Sequence, residues 1–489
     1  MYDARKENKM NRRTFNAVVG GGAMGVAAGA WPRGEAPAGP QAIEANNQPT
    51  KWPDAYRRLL VDTHIPDWDP HLLANFDAAR YVNTIAQAGF NSVMQYSKSH
   101  VGLCLWQSKV GPVHANMKGR DYFGEFMTEC HRASLHTVAY YSLIFDIWAF
   151  DHYPDCRISP EEGEELILKG RPGVVCPNSP YRERALAELR ELVGNYDFEG
   201  IFLDMTFWPH VCYCSYCTER FRKEQNAEPP RIINWDDPTW RQFQKSREQW
   251  LLEFGLLVTK TIKEVRPITV NHQYSTIFSN WTLGVPLQLR DACDYVGGDF
   301  YGGPTQYSLV CKAYDGLTRM RPFEFHTSRT TTLHDFETTK PFNELLTSSC
   351  VATLHSAANL IIDSFNLDGT LNPEVYKFLG QQNAVRAPYE PFLGGDMLAD
   401  VAVYYDKESL YDPAENGVHV AKAKGQAPHM LGVVGAAGIL RKAHIPYGLV
   451  TNANLDKLSN FRAVMVPNVL EMTAEQATQF RGFVQKGGI

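Results

Sequence analysis

An eight-stranded (β/α)8 TIM barrel followed by a smaller flavodoxin-like α/β unit is the fold predicted for this 489-residue chain. From residue 55 onward, short apolar runs alternate with longer amphipathic stretches. Eight such runs occur before residue 364, and alternation of this kind builds a parallel sheet with helices outside. No glycine-rich phosphate turn follows the first run, which argues against an open doubly wound sheet.

The elements follow in order. Residues 59–64 read as the first strand and 77–88 as a helix, with Ala78, Tyr81, Val82 and Ile85 at helical spacing before the stop at Gly89. Residues 92–96 and 137–145 are strands two and three, with a helix over 122–133 between them. A helix over 181–193 leads to strand four at 200–204. A long helix over 239–265 precedes strand five at 268–271. Strands six, seven and eight are placed at 294–298, 323–327 and 359–363, with a helix over 342–356 before the last. The chain changes character around 388–395, so the barrel is bounded at 51–385 and the second unit at 396–489. There, strands at 401–405, 447–450 and 464–467 are joined by a helix over 433–442. Thr473 and Glu475 mark the start of a last helix. Gly487-Gly488 is a turn that should feed another strand, which predicts a truncated chain or an edge supplied otherwise.

Composition narrows the class. With 48 basic and 54 acidic residues the net charge is -6, and no extended basic stripe recommends a nucleic-acid partner. The 44% hydrophobic and 21% charged residues suit a soluble globular enzyme. Arg12-Arg13 precedes a weakly apolar Gly/Ala-rich run, so residues 1–30 read as a twin-arginine export signal and 31–50 as a flexible linker. That run is too short and glycine-rich to span a membrane. The expected location is periplasmic or extracellular.

Gly200-Ile201-Phe202-Leu203-Asp204 carries the most information, because a buried strand ends there in a carboxylate beside Trp208 and His210. In a barrel, groups at strand C-termini face the substrate. Polar residues recur at almost every predicted strand end. The candidate substrate-binding set is His64, Tyr96, Lys98, His100, Trp148, Trp208, His210, Asn271, Tyr301, His326 and Asp363. Cleaving a glycosidic bond needs one carboxylate to attack or stay charged and another to hold a proton. Asp204 is the expected nucleophile. Glu324 and Asp299 compete as proton donor, with Asp363 a further candidate. No catalytic cofactor is expected.

Cys212-x-Cys214-x-x-Cys217 lies just beyond the Asp204 loop. Three such thiols can hold a structural zinc, with Cys176 or Cys156 as fourth ligand. Disulfides to distant partners, or free thiols, are the alternatives in an exported protein.

The segments Val61 to His64, Gln95 to His100, Gly200 to Asp204 and the cysteine cluster resemble a group within the α-L-fucosidase and β-galactosidase-like barrel glycosidases. The C-terminal unit is similar to the β-galactosidase trimerisation domain. The resemblance implies a strand-four nucleophile at Asp204 and a zinc cluster at Cys212, Cys214 and Cys217. It also implies a homo-oligomer, dimer or trimer. The galactosidases use glutamates on strands four and seven, so Asp204 departs from that pattern while Glu324 matches it. The sugar is therefore not transferable from either family. The leading expectation is a retaining exo-glycosidase acting on a terminal fucose- or galactose-like sugar of a glycan. An inverting glycosidase or sugar lyase, and a non-catalytic carbohydrate-binding barrel, are the rivals.

Overall fold

Eight parallel strands wrap around one axis in the first unit. The computed structural model describes residues 51–160, 173–332 and 336–489, so the expected export signal and linker lie outside the described residues. The strands are β1 (Arg57–Asp62), β2 (Ser92–Lys98), β3 (His136–Ser142), β4 (Gly200–Asp204), β5 (Thr269–His272), β6 (Gly297–Asp299), β7 (Glu324–Ser328) and β8 (Ala358–Ser364). They pair in the order β5-β4-β3-β2-β1-β8-β7-β6. The remaining seam is nearly closed by a parallel bridge from Gln273 to Gly297 and by Tyr274 N–H donating to the Gly297 carbonyl at 2.9 Å.

Helices lie outside because each carries one apolar stripe. Ala78–Gln87 buries Ala78, Tyr81, Val82 and Ile85, and Asp77 caps its start by accepting from the Arg80 N–H. Burying each of the larger side chains contributes about 1.5–3 kcal/mol relative to leaving it in water. Strand six begins three residues later than the predicted 294, and strand three ends at Ser142, three residues before the predicted 145. The helix Pro304–Leu317 was not predicted, although Pro304 stands at its first turn, where a missing N–H costs nothing.

Alternation along the strands stacks the barrel interior in layers. Arg58, His136 and Glu324 lie at the bottom, Leu60, Phe202 and His326 in the middle, and Asp62, Tyr96, Tyr140, Asp204 and Asp299 at the top. Trp52 plugs the bottom, with the Arg58 guanidinium 3.6 Å above its ring.

The second unit has a three-stranded parallel sheet of β9 (Val401–Tyr405), β10 (Tyr447–Thr451) and β11 (Ala463–Met465) in the order β10-β9-β11. Its helix Pro428–Lys442 packs on β9 and on the barrel helix Pro304–Leu317. The last helix, Ala474–Gln485, starts with a reciprocal capping box between Thr473 and Gln476. Among the described residues no helix is long and apolar enough to cross a membrane.

Candidate active site

The open end of the barrel holds a narrow pocket lined by Asp62, His64, Tyr96, Tyr140, Asp204, Asp299 and Tyr301, over a floor of Leu60, Phe202, His326 and Ile362. Six of the sequence candidates, His64, Tyr96, Asp204, Asp299, Tyr301 and His326, therefore meet in one wall or floor.

Asp204 sits where β4 ends, and is 8% exposed, so it borders the pocket rather than lying beneath it. Met205 turns off the strand in the left-handed region, at φ 63°. That turn aims the Met205 N–H back at Asp204 Oδ1, 2.9 Å away. The Tyr140 hydroxyl donates to Asp204 Oδ2. His100 Nε2 stands 3.8 Å from the same oxygen. His64 Nδ1 lies 2.7 Å from Asp62 Oδ1, and an ionised carboxylate only accepts, so that nitrogen carries the proton. Its Nε2 then faces the Tyr140 hydroxyl at 3.4 Å.

Asp299 ends β6, two strands round the barrel from Asp204. Its Oδ1 accepts from Gln273 Nε2 at 2.6 Å and from the Ser275 hydroxyl at 3.1 Å. The Tyr301 hydroxyl lies 2.6 Å from Oδ2. An amide N–H can only donate, so Oδ1 is committed as an acceptor and any proton on Asp299 belongs on Oδ2. Gln273 also accepts from the Met205 N–H at 3.3 Å. One side-chain amide thus spans the gap between the two carboxylates.

The other candidates sit elsewhere. Glu324 is fully buried one layer below the pocket floor, paired with Arg58 Nη1 at 2.6 Å and with His326 Nε2. Burial alone would raise its pKa, but its contacts with His326 and the Arg58 guanidinium hold it down to about 2, so it is charged and holds no proton to give. Lys98 is turned out of the barrel by a register shift in β2 between Tyr96 and Lys98. There it pairs with Asp146 at 2.6 Å and Glu188 at 2.7 Å, away from substrate. Asp363 alternates with the pocket residue Ile362, so it points outward onto Arg329 Nε at 2.6 Å. Trp208 is fully buried with its Nε1–H on the Arg247 carbonyl at 2.9 Å. Trp148 stacks on His152 and under the Arg184 guanidinium instead of facing the pocket. His210 is absent from the wall, and burial helped by the Arg247 charge lowers its pKa to about 4. Asn271 lies fully buried in the interior, below the pocket lining.

Sequence reading missed Tyr140, Gln273 and Ser275. Gln273 was legible, because it shares a strand face with Asn271 by alternation. Tyr140 lay within a strand whose end was placed too late, at 145, so polar groups beyond that point drew the assignment.

Beside the pocket, the thiols of Cys176, Cys212, Cys214 and Cys217 lie within 4.8 Å of one another, all buried. Among the described residues no cysteine is in a disulfide. Four converging thiols suit a structural metal ion of the zinc kind and leave no open coordination position for catalysis. Asn178 Nδ2 donates to Cys217 Sγ at 3.4 Å, the outer contact such a ligand needs. Cys156 is not in the set. Its carbonyl instead accepts from the Cys176 N–H at 2.7 Å.

Strand-end carboxylates gather at the barrel mouth, beside a four-thiol cluster. The chain is a (β/α)8-like barrel with a smaller C-terminal domain, a fold shared with solved α-L-fucosidases and β-galactosidases. Residues 50–271 match the family model described as Alpha-L-fucosidase. Among solved structures, α-L-fucosidase isoenzyme 2 from Paenibacillus thiaminolyticus superposes with a TM-score of 0.72 at 18% identity, over 88% of this chain and 63% of that one. The chain therefore spans less than two thirds of that relative. A polyextremophilic β-galactosidase from the Antarctic haloarchaeon Halorubrum lacusprofundi gives 0.66 at 16% identity, covering 88% and 72%. The cold-adapted β-galactosidase of Rahnella sp. R3 gives 0.67 at 15% identity, covering 88% and 70%. Comparison with curated proteins gives no match.

Proposed function

We propose that this chain is a retaining exo-glycosidase that releases a terminal fucose- or galactose-like sugar. The observation that carries the reading is the placement of Asp204 and Asp299 in one narrow pocket, coupled through Gln273. A narrow pocket at the end of the barrel suits a chain-end sugar.

In the first step Asp204 attacks the anomeric carbon as the bond to the leaving oxygen breaks, and that oxygen takes the proton from Asp299 Oδ2. Water then attacks the same carbon, gives its proton to Asp299 and releases Asp204. The Tyr140 hydroxyl stabilises Asp204 as a carboxylate before attack and as a leaving group afterwards. His64, oriented by Asp62, and Tyr96 supply polar edges for sugar hydroxyls, while Leu60, Phe202 and Ile362 meet its apolar face.

The paired arginines support export by the twin-arginine route to the periplasm or beyond. The β10-β9-β11 parallel order supports a flavodoxin-like second unit over about residues 396–489. Resemblance to a trimerisation domain supports a homo-oligomer.

The decisive experiment incubates the protein with 2-deoxy-2-fluoro fucosyl and galactosyl fluorides and maps the adduct by peptide mass spectrometry. A label on Asp204 is expected. A label on another carboxylate overturns the nucleophile assignment, and inverted product in NMR overturns retention.

A further inference from the structure

Glu324 is an expensive residue to place under a pocket floor. A carboxylate with no exposure is tolerated only if its charge is matched and its oxygens are satisfied. Arg58 does the first from below, donating through Nη1 to Oε2 while its guanidinium rests on Trp52. The second oxygen, Oε1, is given entirely to His326. An ionised carboxylate has no proton to donate, so the hydrogen in that contact sits on His326 Nε2. Among the described residues Nδ1 of His326 makes no hydrogen bond, and the ring lines the pocket beside Asp299.

We propose that Glu324 is a positioning residue that fixes the tautomer of His326, so that Nδ1 presents an acceptor to one hydroxyl of the bound sugar. This rests on the glycosidase reading of the pocket and adds a recognition rule to it. A sugar must bring a hydroxyl to the floor, between Phe202 and Asp299, to be held well. The rule is selective, because a site built to accept a hydroxyl rejects the analogue that lacks it far more strongly than an apolar pocket rejects an extra group.

Glu324→Gln makes the logic testable. Arg58 can only donate, so it takes the single amide oxygen, and the amide N–H2 is left facing His326 Nε2. Two donors cannot pair, so the histidine proton must move to Nδ1 and the acceptor toward the sugar is lost.

The test uses the full chain labelled with 15N-histidine, the His326 signals being assigned by their loss in His326→Phe. In the unmodified protein Nε2 should be protonated and Nδ1 not. In Glu324→Gln the two should exchange, with at least tenfold weaker binding of L-fucose or D-galactose by calorimetry. An unprotonated Nε2 in the unmodified protein overturns the proposal, even if Glu324→Gln fails to fold. So does an unchanged sugar affinity in a folded Glu324→Gln. Absence of a covalent label on Asp204 would instead strike the glycosidase reading and leave the tautomer result standing.

Discussion

Gln273 donates to Asp299 Oδ1 at 2.6 Å, and its carbonyl oxygen accepts from the same Met205 N–H that serves Asp204. The two carboxylates are thereby held by one amide whose orientation is set from both ends. Removing it should loosen both. Gln273→Ala should keep the fold and lower kcat about 10- to 100-fold, the equivalent of a hydrogen bond to a charged group at about 1.5–3 kcal/mol. Gln273→Glu should be worse than alanine at neutral pH, because a third carboxylate would face Asp299. Steady-state kinetics with circular dichroism as the folding control checks both.

The role given to Asp299 predicts a dependence on the leaving group. Asp299→Asn removes the proton donor, which contributes typically about 10²- to 10⁴-fold. The loss should appear in full with alkyl or sugar leaving groups and shrink to a few-fold with 2,4-dinitrophenyl glycosides, whose phenolate departs unaided. With the 2,4-dinitrophenyl glycoside, added azide should speed turnover in this variant, because it attacks the glycosyl-enzyme without needing a base. Equal losses for all leaving groups would remove Asp299 from the proton-transfer step.

How much of this was legible in the sequence depends on which force sets each element. Strands buried on both faces write themselves as apolar runs, so β4 was placed at its observed bounds and β1, β2, β5, β7 and β8 within about two residues. β6 is only Gly297–Asp299 and contains two glycines, so its pattern was taken from the apolar residues just before it. Helices Ser215–Gln225 and Pro373–Arg386 were missed because their surface faces are charged and their apolar stripes narrow.

In the site, a strand-end carboxylate such as Asp204 was visible because its strand was. Lys98 was misplaced because a single register shift reverses the face of a side chain, and nothing in Gln95-Tyr96-Ser97-Lys98 announces it. Glu324 was placed at the substrate because sequence shows only that a buried-strand acid needs a partner. The partner, Arg58, is 266 residues away.

That buried pair also carries a pH dependence. Burial opposes the charge on Glu324, but His326 and Arg58 outweigh it and lower its pKa from the ordinary 4.5 to about 2. A depressed carboxylate stabilises the fold fully above the unfolded value and loses that contribution as the pH falls from 4.5 toward 2. The size is about 3 kcal/mol. Thermal melts from pH 7 to pH 3 should show a fall below pH ~4.5 that is shallower in Glu324→Gln. A Glu324→Gln curve parallel to that of the unmodified protein would mean other carboxylates carry the acid sensitivity.

The four thiols bind the loop that leaves Asp204 to the segment around Cys176, so metal there should act on the pocket from outside it. A fully ligated site cannot take part in catalysis but can hold its loops. Elemental analysis should find one zinc per chain, and Cys217→Ser should abolish it and lower Tm. Because Cys212 is only eight residues beyond Asp204, with Met205 and Phe207 between them, the slackened loop should shift the turn that aims the Met205 N–H. The expected signature is a lower kcat with KM little changed, since the pocket residues His64, Tyr96 and His326 stand on or just beyond other strands. A full complement of metal in Cys217→Ser would exclude this thiol from the site, and loss of metal with kcat unchanged would separate the cluster from the pocket.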